Sequence, residues 1–227
     1  KAPSRPAMAC VPGVFGHVFF FHNLVPMWPD DRGLCALPSR HLRPDCDRRL
    51  LSLEEIAEEN VARLQEAGLD HVEALAGYSF GGLVAYEMAR LMSARGRAPA
   101  LVIYDTAAER EVDRGVPFSM RMRFALTRPF YRYFLRRGRP VPSACFDPAS
   151  ANVAAVDAYR PGPYPGDMLL VRSTVSGVAR GVNPETMGWD TLVGGTLTIR
   201  DVAVSHGDLF KPPHVAEVAA ITRKYLR

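Results

Sequence analysis

The chain has 227 residues, 48% of them hydrophobic, enough for one buried core and short for two. Its net charge of +4 is concentrated between Arg110 and Arg139, in a stretch rich in Arg, Phe and Tyr, with no zinc-finger, helix-turn-helix or aromatic RNA-binding pattern, so a nucleic-acid partner is not expected. No apolar run reaches the ~20 residues needed to cross a bilayer, and the four cysteines (Cys10, Cys35, Cys46, Cys145) show neither disulfide-framework nor metal-ligand spacing.

The elements alternate short apolar runs with helical patterns, which marks a mostly parallel, doubly wound α/β sheet. Met8–Val11 reads as a strand that ends in the turn Pro12-Gly13-Val14-Phe15-Gly16, and Phe19–Leu24 as the start of a helix. Trp28–Pro44 is rich in Pro and Arg and fits no pattern. Leu51–Ala67 is a helix with a Ser52/Glu55 capping box, stopped by Gly68, with Ile56, Ala57, Val61 and Leu64 on one face. Val72–Ala76 is a strand, Gly82–Ala94 a helix and Ala100–Tyr104 a fully buried strand.

Between Ala107 and Ser150 the pattern changes to an amphipathic, basic segment, Phe118–Phe134, which reads as a helical insertion above the sheet, a lid. Met168–Val171 and Thr196–Val204 are further strands, and Val215–Leu226 closes the chain as an amphipathic helix. The order is β-α-β-α-β, insertion, α-β-α, β-α, expected to form one domain over residues 1–227. The absence of a signal peptide and the reduced cysteines point to the cytoplasm, and a first residue other than Met fits a domain cut from a longer polypeptide.

Gly77-Tyr78-Ser79-Phe80-Gly81 is a G-x-S-x-G motif between an apolar strand and an uninterrupted helix. In the α/β-hydrolase fold that context places a serine hydroxyl above the sheet on a strained turn, with small residues required on either side. Ser79 is therefore the candidate nucleophile.

A base must follow it in the chain, and only His206 and His214 do. His206 lies at a strand end before Gly207, whereas His214 opens the last helix, so His206 is the candidate. The orienting carboxylate is Asp105, directly after the Ala100–Tyr104 strand, in preference to Asp190, Asp201 and Asp208. The oxyanion donors are the backbone N–H of Phe80 and one from the first turn, Val14 ahead of Phe15. No metal or bound cofactor is implied.

The segments Gly77–Ala89, Leu101–Asp105, Tyr159–Leu170, Gly188-Trp189 and Val202–Val215 together resemble thioesterase domains that end nonribosomal peptide synthetases and polyketide synthases. The resemblance implies that a carrier protein delivers an acyl chain as a phosphopantetheine thioester. Release would run through an acyl-Ser79 ester resolved by water or by a nucleophile within the chain itself. It also implies that Arg121, Arg123, Arg128, Arg132, Arg136 and Arg137 either steer an acidic carrier or form a solvated face. Phe118, Phe124, Phe130 and Tyr131 either line the acyl pocket or pack within the lid. A stand-alone editing thioesterase, a free-standing esterase and an inactive binding module remain the competing readings.

Overall fold

The computed structural model describes residues 5–28, 32–43, 45–69, 71–108, 118–175 and 183–227. Six parallel strands form one sheet in the order β2-β1-β3-β4-β5-β6: β1 Arg5–Val11, β2 Arg32–Ala36, β3 Ala74–Tyr78, β4 Ala100–Tyr104, β5 Met168–Ser173 and β6 Leu197–Val202. The five α-helices are α1 Leu53–Glu66, α2 Phe80–Ala94, α3 Phe118–Arg137, α4 Pro148–Ala158 and α5 His214–Tyr225.

Strand alternation divides the core in two. Leu75, Leu101, Ile103, Met168 and Leu170 face the layer that contains α1 and α2. Ala74, Ala76, Val102, Tyr104, Leu169 and Val171 face the layer of α5 and the 3-10 turns at Val18–Met27. Both faces of β3 and β4 are covered, which is why those two strands carry no charged residue. The Ser52/Glu55 capping box is formed, with Glu55 N–H donating to Ser52 Oγ at 3.2 Å and Ser52 N–H donating to Glu55 Oε2 at 2.7 Å.

Strand order reverses between β1 and β3: the chain runs outward from β1 to β2, crosses back, and then builds β3 to β6 in one direction. Ligands of open α/β sheets bind at such a switch point, outside the carboxyl ends of the strands. The turn after β1 and the turn after β3 both emerge there.

Three expectations change. Phe19–Leu24 does not open an α-helix. It belongs to 3-10 turns that contain Pro26, which has no N–H for an i→i−4 bond. The Trp28–Pro44 stretch holds the edge strand β2, only half-buried and therefore weakly patterned. Between β5 and β6 the described residues hold a 3-10 turn, Trp189–Thr191, in place of a helix. The helix expected between the insertion and the next strand is α4, and it is buried from Ala149 to Asp157 on all sides, so it has no amphipathic period of its own.

The basic segment forms α3, which packs on α4, and α4 in turn touches α1 and α2. Residues 109–117 of the expected insertion lie outside the described residues. No helix among the described residues is long and apolar enough to cross a membrane.

Candidate active site

Ser79 follows β3 and caps α2 with φ 55° and ψ −126°, a positive-φ conformation that costs a non-glycine residue of order 1–3 kcal/mol. Its neighbours enforce the turn. A Cβ on Gly77 would lie 2.1 Å from the Gly81 carbonyl oxygen, and one on Gly81 would lie 2.2 Å from that of Val11. The Ser79 backbone is held by N–H donation to the Tyr104 carbonyl at 3.1 Å. Its carbonyl accepts from Thr106 Oγ1 at 2.9 Å and from Gly82 N–H at 2.8 Å. The helix N-terminus beyond it carries partial positive charge toward any anion formed there.

Asp105 follows β4, also at positive φ (48°), and is 2% exposed. Its Oδ2 lies 2.6 Å from Nδ1 of His206, which opens a 3-10 turn after β6. Ser173, at the end of β5, donates its N–H to Asp105 Oδ1 at 3.0 Å and its hydroxyl to Oδ2. Burial pushes the Asp105 carboxyl up, but the hydrogen bond and charge of His206, with the two donors of Ser173, outweigh it and hold the group below its ordinary value. A carboxylate there fixes the imidazole with Nδ1 as donor, leaving Nε2 able to accept a proton.

The other carboxylates considered from sequence are engaged elsewhere. Asp201 pairs bidentately with Arg172 at 2.7 and 2.8 Å, Asp208 lies between Ser205 and Lys211, and Asp190 accepts from Thr186. His214 is the first residue of α5, separated from the Asp105 pair by the cis Pro212-Pro213 bond and the preceding turn.

Val14 and Phe80 come together through α3 and α4. Val14 is buried with Phe124, Ala149 and Val153, and Phe80 packs against the same cluster. The Val14 carbonyl accepts from Asn152 Nδ2 at 2.7 Å, which turns that peptide's oxygen toward α4, and Gly16 N–H closes the turn onto the Gly13 carbonyl at 2.8 Å. Phe15 is 39% exposed.

Three contributors were not read from the sequence: Ser173, Asn152 and Tyr78, whose ring packs on His206. Ser173 and Asn152 act across 68 and 138 residues of chain, a separation for which one sequence holds no signal. Of the aromatic residues on α3, Phe124 and Tyr131 are buried packing residues, whereas Phe118 and Phe130 face outward at 75% and 38% exposure.

A family model described as a thioesterase domain matches residues 6–120. Among curated proteins the chain is 27% identical over 233 residues to the malpinin synthetase of Mortierella alpina, and 27% over 243 residues to the malpibaldin synthetase of the same organism. Each match covers 99% of this chain but only 3% and 4% of the synthetase. Among solved structures, a covalent complex of the NocB thioesterase domain with a fluorophosphonate nocardicin G analog matches at TM-score 0.71 and 24% identity, covering 99% of this chain and 96% of that one. The RedJ thioesterase from the prodiginine pathway of Streptomyces coelicolor matches at TM-score 0.70 and 22% identity, over 99% and 90%. At these identities the structural matches speak for the fold.

Proposed function

The chain belongs to the thioesterase domain family, and on that premise we propose that it releases an acyl, peptidyl or polyketide chain from a phosphopantetheinyl carrier protein through an acyl-Ser79 intermediate. The observation that carries this reading is the strained Ser79 at the N-terminus of α2, one residue from the Tyr78 ring that packs on the Asp105-paired His206.

In the proposed cycle His206 Nε2 takes the Ser79 hydroxyl proton as the oxygen attacks the thioester carbonyl. Charge on the carbonyl oxygen is met by the N–H groups of Phe80 and Val14. As the C–S bond breaks, the thiol leaves with the proton returned from His206. Water, or a hydroxyl or amine of the acyl chain, then gives its proton to His206 and attacks the ester. Ser79 is regenerated, with a free acid, lactone or lactam as product. Asp105 keeps the imidazole in one tautomer and stabilises its charged form throughout.

The whole of 1–227 acts as one unit in this reading, with residues 107–150 as its lid. The carrier and its phosphopantetheine are substrate, delivered from outside the domain.

The test is intact-protein mass spectrometry with a panel of acyl-N-acetylcysteamine thioesters on the parent chain and on Ser79→Ala. An acyl adduct or thiol release seen only in the parent is expected. Equal release by the two proteins would refute the nucleophile, and no release from any thioester would remove the activity itself.

A further inference from the structure

Helix α4 carries three polar side chains in an otherwise apolar stretch, Ser150, Asn152 and Asp157, and all three are buried. Ser150 and Asp157 stand about two turns apart on one face, and that face serves α3. Ser150 Oγ lies 3.3 Å from Thr127 Oγ1, and Asp157 pairs with Arg128 and Arg132. Asn152 stands on the opposite face, where its Nδ2 donates to the Val14 carbonyl at 2.7 Å. One helix thus ties the basic segment to the turn after β1. An enclosed amide is costly unless it is bonded, so the Asn152–Val14 bond is favoured over any arrangement that leaves the pair open.

The ends of that turn are pinned by the core. Gly13 abuts Tyr78 and Ser79, whose side chains would lie 3.3 and 3.5 Å from a Cβ built there. Gly16 donates its N–H to the Gly13 carbonyl at 2.8 Å and accepts from Ser39 N–H at 3.1 Å. The carbonyl and N–H of a trans peptide point in opposite directions, so the Gly16 bond also sets where the Val14 N–H points.

The middle peptide, Val14–Phe15, is the part of such a turn that can rotate, by about half a revolution between the type I and type II forms. Its oxygen is the one that Asn152 holds. The Val14 side chain is seated by the same helices, against Phe124 of α3 and Ala149 and Val153 of α4. A donor on a turn with two accessible forms is correctly placed for only part of the time.

We infer that Asn152 is a positioning residue of the oxyanion site: it locks the Val14–Phe15 peptide in one orientation and so holds the neighbouring Val14 N–H in place. The lid then takes part in catalysis and is more than a cover, because α4 cannot leave the core without releasing this turn. The assignment rests on the reading that Ser79 is acylated with Val14 as one of its oxyanion donors.

The experiment uses Asn152→Leu, close to Asn in size but without a donor, with Asn152→Ala measured beside it in case Leu does not fold. Thermal melts and end-point titration of Ser79 with a fluorophosphonate count the folded, reactive molecules. Per reactive molecule, kcat on octanoyl-N-acetylcysteamine is expected to fall about tenfold to a hundredfold, with KM within about twofold. Octyl trifluoromethyl ketone reports on the same donors: Ser79 Oγ adds to its carbonyl carbon, the hydroxyl proton passes to His206, and the carbonyl oxygen becomes the anion. Its Ki should rise by the factor by which kcat falls. Hydrogen exchange at the Gly16 amide, followed by NMR, should speed up about tenfold or more as the turn is freed.

An unchanged kcat per reactive molecule overturns the assignment. So does a fall in kcat that leaves the ketone Ki where it was, since the loss then lies outside the oxyanion site. If the parent turns over no thioester and binds no ketone, the thioesterase reading falls and Gly16 exchange alone decides the tether. Faster exchange in the variants keeps it; equal exchange removes it.

Discussion

The phenol ring of Tyr78 lies nearly parallel to the imidazole of His206, centroids 4.8 Å apart and planes 23° apart, and its hydroxyl donates to the His206 carbonyl at 2.7 Å. One residue thus fixes the candidate base through both its ring and its backbone, from the position adjacent to the candidate nucleophile. The stack is buttressed by Phe20 and Phe210, with centroids 5.5 and 5.4 Å from the Tyr78 ring.

Tyr78→Phe keeps the stack and loses one hydrogen bond worth about 1 kcal/mol, so kcat should fall less than about tenfold. Tyr78→Leu also loses the ring contact that orients the imidazole. Its kcat should fall about a hundredfold. Substantial rescue by Phe is the signature of positioning. Equal losses in Phe and Leu would reduce Tyr78 to core packing.

Gly81 separates two kinds of glycine in this chain. A Cβ there would meet the carbonyl oxygens of Val11 and Pro12 at 2.2 and 2.3 Å, both backbone, so the turn that carries Val14 must move. Gly81→Ala is therefore expected to lower both melting temperature and turnover per folded molecule. Gly68 has positive φ (67°) but nothing within 4 Å of a built Cβ. Gly68→Ala should cost about 1 kcal/mol of stability and no turnover. Unfolding curves beside active-site titration distinguish the two, and a fully active Gly81→Ala would contradict the close-approach account.

The contrast also explains what was legible in the sequence. Gly77, Ser79 and Gly81 form a local motif whose sterics act within five residues, and the apolar strands β3 and β4 announce themselves by composition. Asp105 and His206 could be chosen because fold order restricts where a carboxylate and a base can stand. Ser173 could not, because an ordinary serine at a strand end becomes a carboxylate donor only when β5 is laid beside β4. Helix α4 could be placed only by the order of elements, because burial on every side removes the polar face that marks a helix's bounds. Edge strand β2 is short and half-buried, and its pairing with β1 supplies what its own residues do not.

Ser173 gives a pH-dependent prediction. Asp105 titrates below its ordinary value in the folded chain. Its contribution to stability is therefore fully present above the unfolded value of about 3.9 and is lost as pH falls through the lower folded value. Ser173→Ala removes the hydroxyl donor but keeps the backbone one, so the folded value should rise toward the unfolded value. The variant should be less stable than the parent above about pH 4, and the gap should close at lower pH, where both forms bind the proton. Denaturant titrations from pH 2 to 7 test this; a gap that stays constant across the range would mean that Ser173 contributes packing alone.

Asp157 anchors the α3–α4 pair. Its side chain is fully buried, and Oδ2 lies 2.9 Å from Arg128 Nε and 3.3 Å from Arg132 Nε. Breaking an enclosed ion pair from one side costs about 3–5 kcal/mol. Here both arginines are partly exposed, at 26% and 39%, and can turn to water. Asp157→Asn should therefore cost less, about 2 kcal/mol, with the loss concentrated in α3. Hydrogen exchange resolved to α3 and α4 checks this, and unchanged protection would remove the anchor.

The same pairing sorts the arginines of α3 for the proposed carrier. Arg123 pairs with Asp147, and Arg128 and Arg132 with Asp157, so reversing their charge perturbs folding first. Arg121, Arg136 and Arg137 are exposed, the last over the Tyr133 ring at 5.5 Å. If an acidic carrier is steered by this face, Arg136→Glu with Arg137→Glu should lower kcat/KM for carrier-borne substrate about tenfold at low salt. The effect should shrink as ionic strength rises, with turnover of a small thioester unchanged. A carrier-borne rate indifferent to both the reversal and salt would leave these arginines as a solvated face, and the carrier would have to dock elsewhere around the switch point.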